Sequence, residues 1–382
     1  MHISKPMVTA AIAALVGLTA TTGLYAKDDT LAKVPSTMSW TSYDVGSAGY
    51  AEASAVADAF GKKFGSRVRI QPSGSAVGRL EPVLSKRASV GFLATEAFFA
   101  AEGTEDFASR RWGPQDIRTL GGRPSSHGVF TAADANIKTL SDLRGHRFAY
   151  GAGNPSMRIK CNAYLAFGGL TEDDVVPVLF PTYNAAMKSL VEGKADATCS
   201  STTPSQIYEL MESPRGLRWL SFDPNDKEAW KRLLSVAPFF SPFKETVGAG
   251  ISKEHPIDLL AWRYPVLIVR ADASEDEAYN FIKAMDQTFS IYKDVTAVTP
   301  RWDLKQAGTP PIDVPFHPGA IKYLKERGIW TPEMTEWNDK RLARMHALQA
   351  AWKDAVAEGK GKSDSEFAKI WETHRKTVLA KF

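Results

Sequence analysis

One three-part phrase recurs in the first half of the chain: a strand, a loop of small residues, then a helix. It occurs at 37–60, at 67–87, and most fully in the stretch Lys138–Ser156. There Ser141 can cap a short helix and Gly145 can end it, Phe148–Tyr150 form a strand, and Gly151–Pro155 turn into the next helix. Such a turn exposes the backbone N–H groups of the following helix, which can hold a carboxylate or a phosphate. Repeated loops of this kind, without a catalytic constellation, point to a chain that binds a small solute and does not transform it.

The alternation continues. Thr37–Ser42, Val68–Gln71, Val90–Leu93, Ile117–Gly121, Gly128–Thr131, Val176–Leu179 and Ala195–Cys199 read as strands. Helices are expected at Tyr50–Phe64, Ala76–Arg87, Thr95–Ala101, Met157–Phe167, Asn184–Glu192, Pro204–Met211 and Glu275–Lys293. Leu259–Val269 is apolar and β-rich. Strands alternating with helices imply an α/β fold with largely parallel sheets. Two amphipathic helices close the chain. One aligns Leu342, Met345, Leu348, Trp352 and Val356. The other opens on a Ser363-x-x-Glu366 capping box and carries Phe367, Ile370, Trp371, His374 and Val378. Both stripes are expected to pack against the body.

The first 26 residues read as an export signal: a weakly positive start at His2 and Lys5, an apolar run Met7–Leu24, and a small-residue cleavage site ending at Ala26. The competing reading is a membrane anchor, which the four Thr of the run and its scarcity of Leu and Ile oppose. No Cys near the site suggests a lipoprotein. What remains is long enough for two lobes. The whole chain has a formal charge of +4, and the leader holds one Lys and no acid, so the mature balance is +3. Near-neutrality, with basic clusters as isolated as Arg110-Arg111, argues against nucleic acid.

Cys161 and Cys199 are the only cysteines. In an oxidising compartment they can pair, and two buried free thiols are the alternative. Their spacing is not that of a zinc site. Nucleophilic hydrolysis finds no support: Ser73-Gly-Ser-Ala-Val-Gly78 has the wrong spacing for a nucleophile elbow, and the histidines are scattered. Gly151–Ser156 nearly matches a dinucleotide fingerprint, but Ser replaces the third Gly, and the acids at 172–174 precede the next strand. Neither a cofactor nor a metal is expected.

The loops remain. Tyr43–Tyr50 combines backbone donors, the hydroxyl of Ser47 and two aromatics. Ser73, Gly74 and Ser75 do the same before a helix that carries Arg79 one turn in. Arg79 could fork onto a ligand carboxylate in a cleft, or pair at the surface with Glu81 or a nearby acid. Equally, Ser and Gly can simply cap helices and fill turns.

From about Thr37 to Trp330 the chain resembles the solute receptors of tripartite ATP-independent periplasmic (TRAP) transporters, in the branch called TAXI. The likeness rests on Gly46-Ser-Ala-Gly-Tyr50, Gln71-Pro-Ser-Gly-Ser75, Leu84–Phe92, Asn184–Ala197, Val269-Arg-Ala-Asp272 and His317-Pro-Gly-Ala320, in that order and spacing. It implies a two-lobed class II periplasmic binding protein, each lobe a mainly parallel sheet flanked by helices, with the helices after Trp330 as an addition. The lobes would be 27–135 plus 250–382, and 136–249. It implies a periplasmic monomer that delivers a small carboxylate, such as glutamate or 2-oxoglutarate, to a TRAP permease. By position the ligand loops would be Gly46, Ser47, Gly49 and Tyr50; Ser73, Gly74 and Ser75; and Asn154 and Ser156. Tyr183, Ser201 and Thr202 would come from the second lobe. Arg79 stands where Asn is usual, Ala94 and Glu96 where Gln and Asp are, and Asn154-Pro-Ser-Met157 replaces a Gly-Ser-Gly-Thr-like turn. These departures bear on the ligand more than on the fold. A receptor signalling to a membrane sensor and an exported enzyme on the same fold are the alternatives.

Overall fold

The computed structural model describes residues 1–2 and 30–382, so the expected leader, apart from its first two residues, lies outside the described residues. Its strands are β1 (Thr37–Ser42), β2 (Arg67–Pro72), β3 (Val90–Leu93), β4 (Ile117–Ala132), β5 (Arg147–Gly151), β6 (Val176–Phe180), β7 (Ala197–Ser200), β8 (Leu217–Trp219), β9 (Ser241–Glu245) and β10 (Ile257–Arg270). Its helices in the body are α1 (Ala48–Phe64), α2 (Ala76–Leu84), α3 (Glu96–Glu102), α4 (Pro155–Phe167), α5 (Tyr183–Val191), α6 (Ser205–Glu212), α7 (Lys227–Val236), α8 (Glu275–Tyr292), α9 (Leu304–Ala307) and α10 (Pro318–Glu326). The chain then closes with α11 (Pro332–Glu358) and α12 (Asp364–Leu379).

The fold is a two-lobed α/β structure. In the first lobe β1 lies parallel to β2 and β3. In the second, β5 lies parallel to β6 and β7. These are the strands that helices connect, as parallel pairing requires. Two long strands join the lobes. The start of β4 pairs antiparallel with β10, and its end, Gly128–Thr131, pairs with β7. Strand β10 pairs with β3 at one end and β9 at the other. Each lobe has its own apolar core. One gathers Trp40, Phe60, Phe92, Leu267 and Phe281, and the other Phe130, Phe148, Tyr164, Leu190 and Phe222. The second core also takes Leu259, Leu260, Trp262 and Tyr264 from β10, so both changes of lobe fall inside β4 and β10.

The two strands expected at Ile117–Gly121 and Gly128–Thr131 are one continuous strand of 16 residues. The intervening Arg123, Ser125, Ser126 and His127 break the apolar pattern, yet all four are buried. All four are buried with partners, Ser125 Oγ donating to the Ser126 carbonyl at 3.4 Å. Arg123 forks onto Glu52 of α1, the Ser126 hydroxyl donates to Glu245, and His127 Nδ1 meets the Tyr164 hydroxyl at 3.0 Å. Buried polar groups of this kind are tolerated once paired, and a pattern of hydrophobicity alone reads them as a loop.

The terminal helices form a hairpin on the first lobe. Leu348, Ala351, Ala355, Phe367 and Trp371 make a small core. The Trp371 indole donates to the Gly103 carbonyl at 2.6 Å, and Arg344 and Arg375 both pair with Glu102 at the end of α3. The Ser363 capping box is present. Val356, expected on the packing stripe, is exposed, and Ala355 takes the buried place in the seam.

Candidate functional site

The three expected loops each cap the helix they introduce. Ser47 Oγ accepts from the Tyr50 N–H at 3.2 Å, Ser75 Oγ from Gly78 at 3.1 Å, and Asn154 Oδ1 from Met157 at 3.0 Å. Their side-chain oxygens are therefore committed to the backbone donors that the sequence reading assigned to a ligand. Before α2 an acid of the chain stands close to the loop: a Cβ placed on Gly74 would lie 3.1 Å from both carboxylate oxygens of Asp44. Gly49 is pressed on a neighbour, since a Cβ there would lie 2.6 Å from the Tyr264 hydroxyl. The first loop reaches the other lobe, where Asn184 Nδ2 of α5 donates to the Val45 carbonyl at 2.7 Å. Gly46, at φ +91°, makes that crossing turn. Thr202 donates to the Val247 carbonyl at 2.7 Å. Gly46, Ser47, Gly49, Tyr50, Ser73, Gly74, Ser75 and Thr202 all stand outside the lining of the cavity between the lobes.

Arg79 follows neither of its two expected readings. Glu81 pairs with Arg87 instead. Arg79 is wholly buried, with Nε donating to Glu96 Oε1 at 2.7 Å and Nη1 to the Ser73 carbonyl at 2.9 Å, and its guanidinium lies 3.5 Å over the Tyr43 ring. Burial works against its charge, but Glu96 beside it holds the guanidinium above the ordinary arginine range. Arg79 and Glu96 are two of the departures from the resembled family's pattern, and here they are each other's partner. The pair stiffens the back of the Tyr43 wall.

The cavity is a partly open cleft of about 270 Å³. Tyr43, His127, Trp262 and Tyr264 form one side. Asn154, Ser156, Met157 and Lys160 of α4 and its cap form the other, with Tyr183 and Ser201 beyond. Of the expected site, Tyr43, Asn154, Ser156, Tyr183 and Ser201 therefore come together. Trp262 and Tyr264 stack at 4.9 Å with 6° between their planes, and Tyr43 meets Tyr264 and Tyr183 edge-on. The Tyr183 hydroxyl bonds Ser200. Asn154 Nδ2, Ser156 Oγ and Trp262 Nε1 are buried without a hydrogen-bond partner, and such groups are costly unless something else meets them.

Lys160 is the central group, and sequence reasoning missed it. It is 2 % exposed, and its Nζ sits 3.2 Å from the centroid of the Trp262 ring. It forms no ion pair among the described residues. Burial pushes it well below the ordinary lysine range, while Glu96 and Asp313 act in the opposite direction. Asp313 itself is pushed up to about 6 by burial. His127 is held well below its ordinary value by burial, with Lys160 adding to the effect, so its imidazole is neutral. Helical spacing carried a faint signal, because Lys160 lies one turn after Ser156 on the same face. Trp262 and Tyr264 alternate along β10 and so share one side of the sheet. The bridge Cys161–Cys199, with Cα atoms 5.6 Å apart, ties α4 to β7 directly behind the cavity and decides between the two cysteine readings. No group of three or more His, Cys, Asp or Glu side chains among the described residues could hold a metal ion.

A model of the NMT1-like family matches residues 43–328, from the Tyr43 wall to just before the terminal hairpin. Among solved structures the chain is similar to a protein of Bordetella bronchiseptica RB50, at 18% identity over 78% of this chain and 91% of that one, with a TM-score of 0.45. It is also similar to the periplasmic aliphatic sulphonate binding protein SsuA from Escherichia coli, at 17% identity over 88% and 92%, with a TM-score of 0.42. The GluR0 ligand-binding core in complex with L-glutamate matches at 12% identity over 71% and 100%, also with a TM-score of 0.42.

Proposed function

Given that the chain belongs to the NMT1-like family, we propose that it is an extracytoplasmic solute receptor. It captures a small organic acid between its lobes and passes it to a membrane permease, of the TRAP type that the sequence resemblance implies. One observation carries the reading: a buried lysine without an ion pair shares a cleft with the unpartnered donors of Asn154 and Ser156. A cation and two donors held ready in a narrow, partly open cleft suit an anion that arrives from outside. The Cys161–Cys199 bridge supports an oxidising, exported location. The receptor works as a monomer and returns its ligand unchanged.

Native mass spectrometry of the purified protein tests this by weighing what co-purifies, and a thermal-shift screen of organic acids extends it. A ligand at about 100 times its Kd should add about 2.7 kcal/mol of apparent stability. An empty protein that no acid stabilises would sink the reading, and conversion of the ligand on prolonged incubation would replace it with an enzyme.

A further inference from the structure

Charge in and around the cavity is unevenly distributed. Arg79 lies behind the Tyr43 ring and is already matched by Glu96. His127 is neutral and engaged with Tyr164. Lys160 is the one cation among the lining residues, and no carboxylate lines the space. Much of the remaining wall is aromatic. A ligand with one negative charge is therefore matched, and a second would be buried without a counter-ion. An ammonium group would lie beside Lys160 with no acid in the lining to receive it, Glu96 and Asp313 acting on Lys160 from outside the space. Uncompensated charges of either kind are expensive to desolvate. The cleft is narrow in this structure, its volume of about 270 Å³ including space open to solvent, which favours a short molecule.

We propose that this site selects short-chain monocarboxylates with an uncharged body, the carboxylate held by Lys160, Asn154 Nδ2 and Ser156 Oγ and the body enclosed by Tyr43, Trp262 and Tyr264. The proposal rests on the receptor reading above and narrows it, away from the dicarboxylates and amino acids that the sequence resemblance suggests. Asn154 and Ser156 are 2 % and 0 % exposed, and Asn154 spends only its oxygen on the helix cap, so its amide nitrogen is free for the ligand. Lys160 sets specificity because it alone supplies the charge.

The test is calorimetric titration of the whole mature protein with matched acids: propionate, lactate and pyruvate against succinate, 2-oxoglutarate, L-alanine, L-glutamate and methanesulfonate. The mass of any co-purified ligand serves as an independent reading. A monocarboxylate should bind at least about tenfold more tightly than every dicarboxylate, amino acid or sulfonate, and Lys160→Met should weaken it by at least about tenfold. Lys160→Arg should retain part of the affinity, and the wild-type ranking stands as evidence even where a variant fails to fold. Tighter binding of a dicarboxylate, an amino acid or the sulfonate overturns the monocarboxylate assignment and leaves the receptor intact. Undiminished affinity in a folded Lys160→Met protein overturns the role of Lys160. If no acid binds and nothing co-purifies, the receptor reading falls and takes this one with it.

Discussion

At the scale of single residues, the surroundings of the cleft contrast two buried cations. Arg79 has a partner, and removing it strands the Glu96 carboxylate in a dry interior. Arg79→Met should therefore lower stability in urea denaturation by about 3–5 kcal/mol, and Glu96→Gln added to it should recover most of the loss. Lys160 has no such partner in the empty protein. Its folded pKa lies below its unfolded value, so between the two the unfolded chain binds more protons and stability rises with pH. Below that window the penalty is present in full. Thermal melts of the ligand-free protein should show this rise, and Lys160→Met should be the more stable protein at neutral pH and flatten the profile. The bound anion favours the protonated amine, so ligand affinity should run the opposite way and fall as pH rises. The charged groups that act on Lys160 are Glu96, Asp313, Arg79 and His127. None of this balance is visible along the chain, because Lys160 sits among ordinary helical residues and its solitude depends on what surrounds it in space.

At the scale of elements, α4 carries one side of the cavity, and the bridge from Cys161 to Cys199 fixes it to the strand that leads to Ser201. Closing 38 residues of chain should contribute about 4 kcal/mol through the unfolded state. Denaturation of the Cys161→Ala, Cys199→Ala protein measures it, and a loss much under 2 kcal/mol would mean that the second core holds α4 unaided. Elements with a clean period were legible in sequence: β1 and β3 match their expected bounds, and α8 matches within a residue. Strand β4 was not, since its middle is polar and its pairing comes from distant residues such as Glu52 and Glu245. The loops are legible as loops, but which of their polar atoms stay free is not. Ser47, Ser75 and Asn154 are good caps for the same reason that they resemble ligand contacts, and only the folded arrangement shows which N–H each one meets.

At the scale of the molecule, the bond from Asn184 to the Val45 carbonyl joins the two lobes away from the connecting strands. Asn184→Ala should weaken ligand binding by about 0.5–1.5 kcal/mol, roughly two- to tenfold, and leave the melting temperature of the ligand-free protein nearly unchanged. An equal loss in both would make the contact part of the fold and not of closure. The α/β class was legible because alternating strands and helices leave few other solutions, and the two lobes were what the family resemblance implied. Where the chain changes lobe was harder to read, since a strand that passes from one core to another looks locally like any other strand.

The ladder between β4 and β10 slips register twice, between Arg263 and Val266 and again between Leu267 and Ile268. Such irregularities bend and twist a strand where regular pairing would keep it straight. Tyr264 stands inside the first of them, lines the cavity and presses its hydroxyl toward Gly49. The joint thus resembles a leaf spring thinned at one point, beneath the place where the proposed solute would sit. A solute seated against the Tyr264 ring would press on the strand at its irregular point, and sensing the cargo and shutting the jaws would then be one mechanical event.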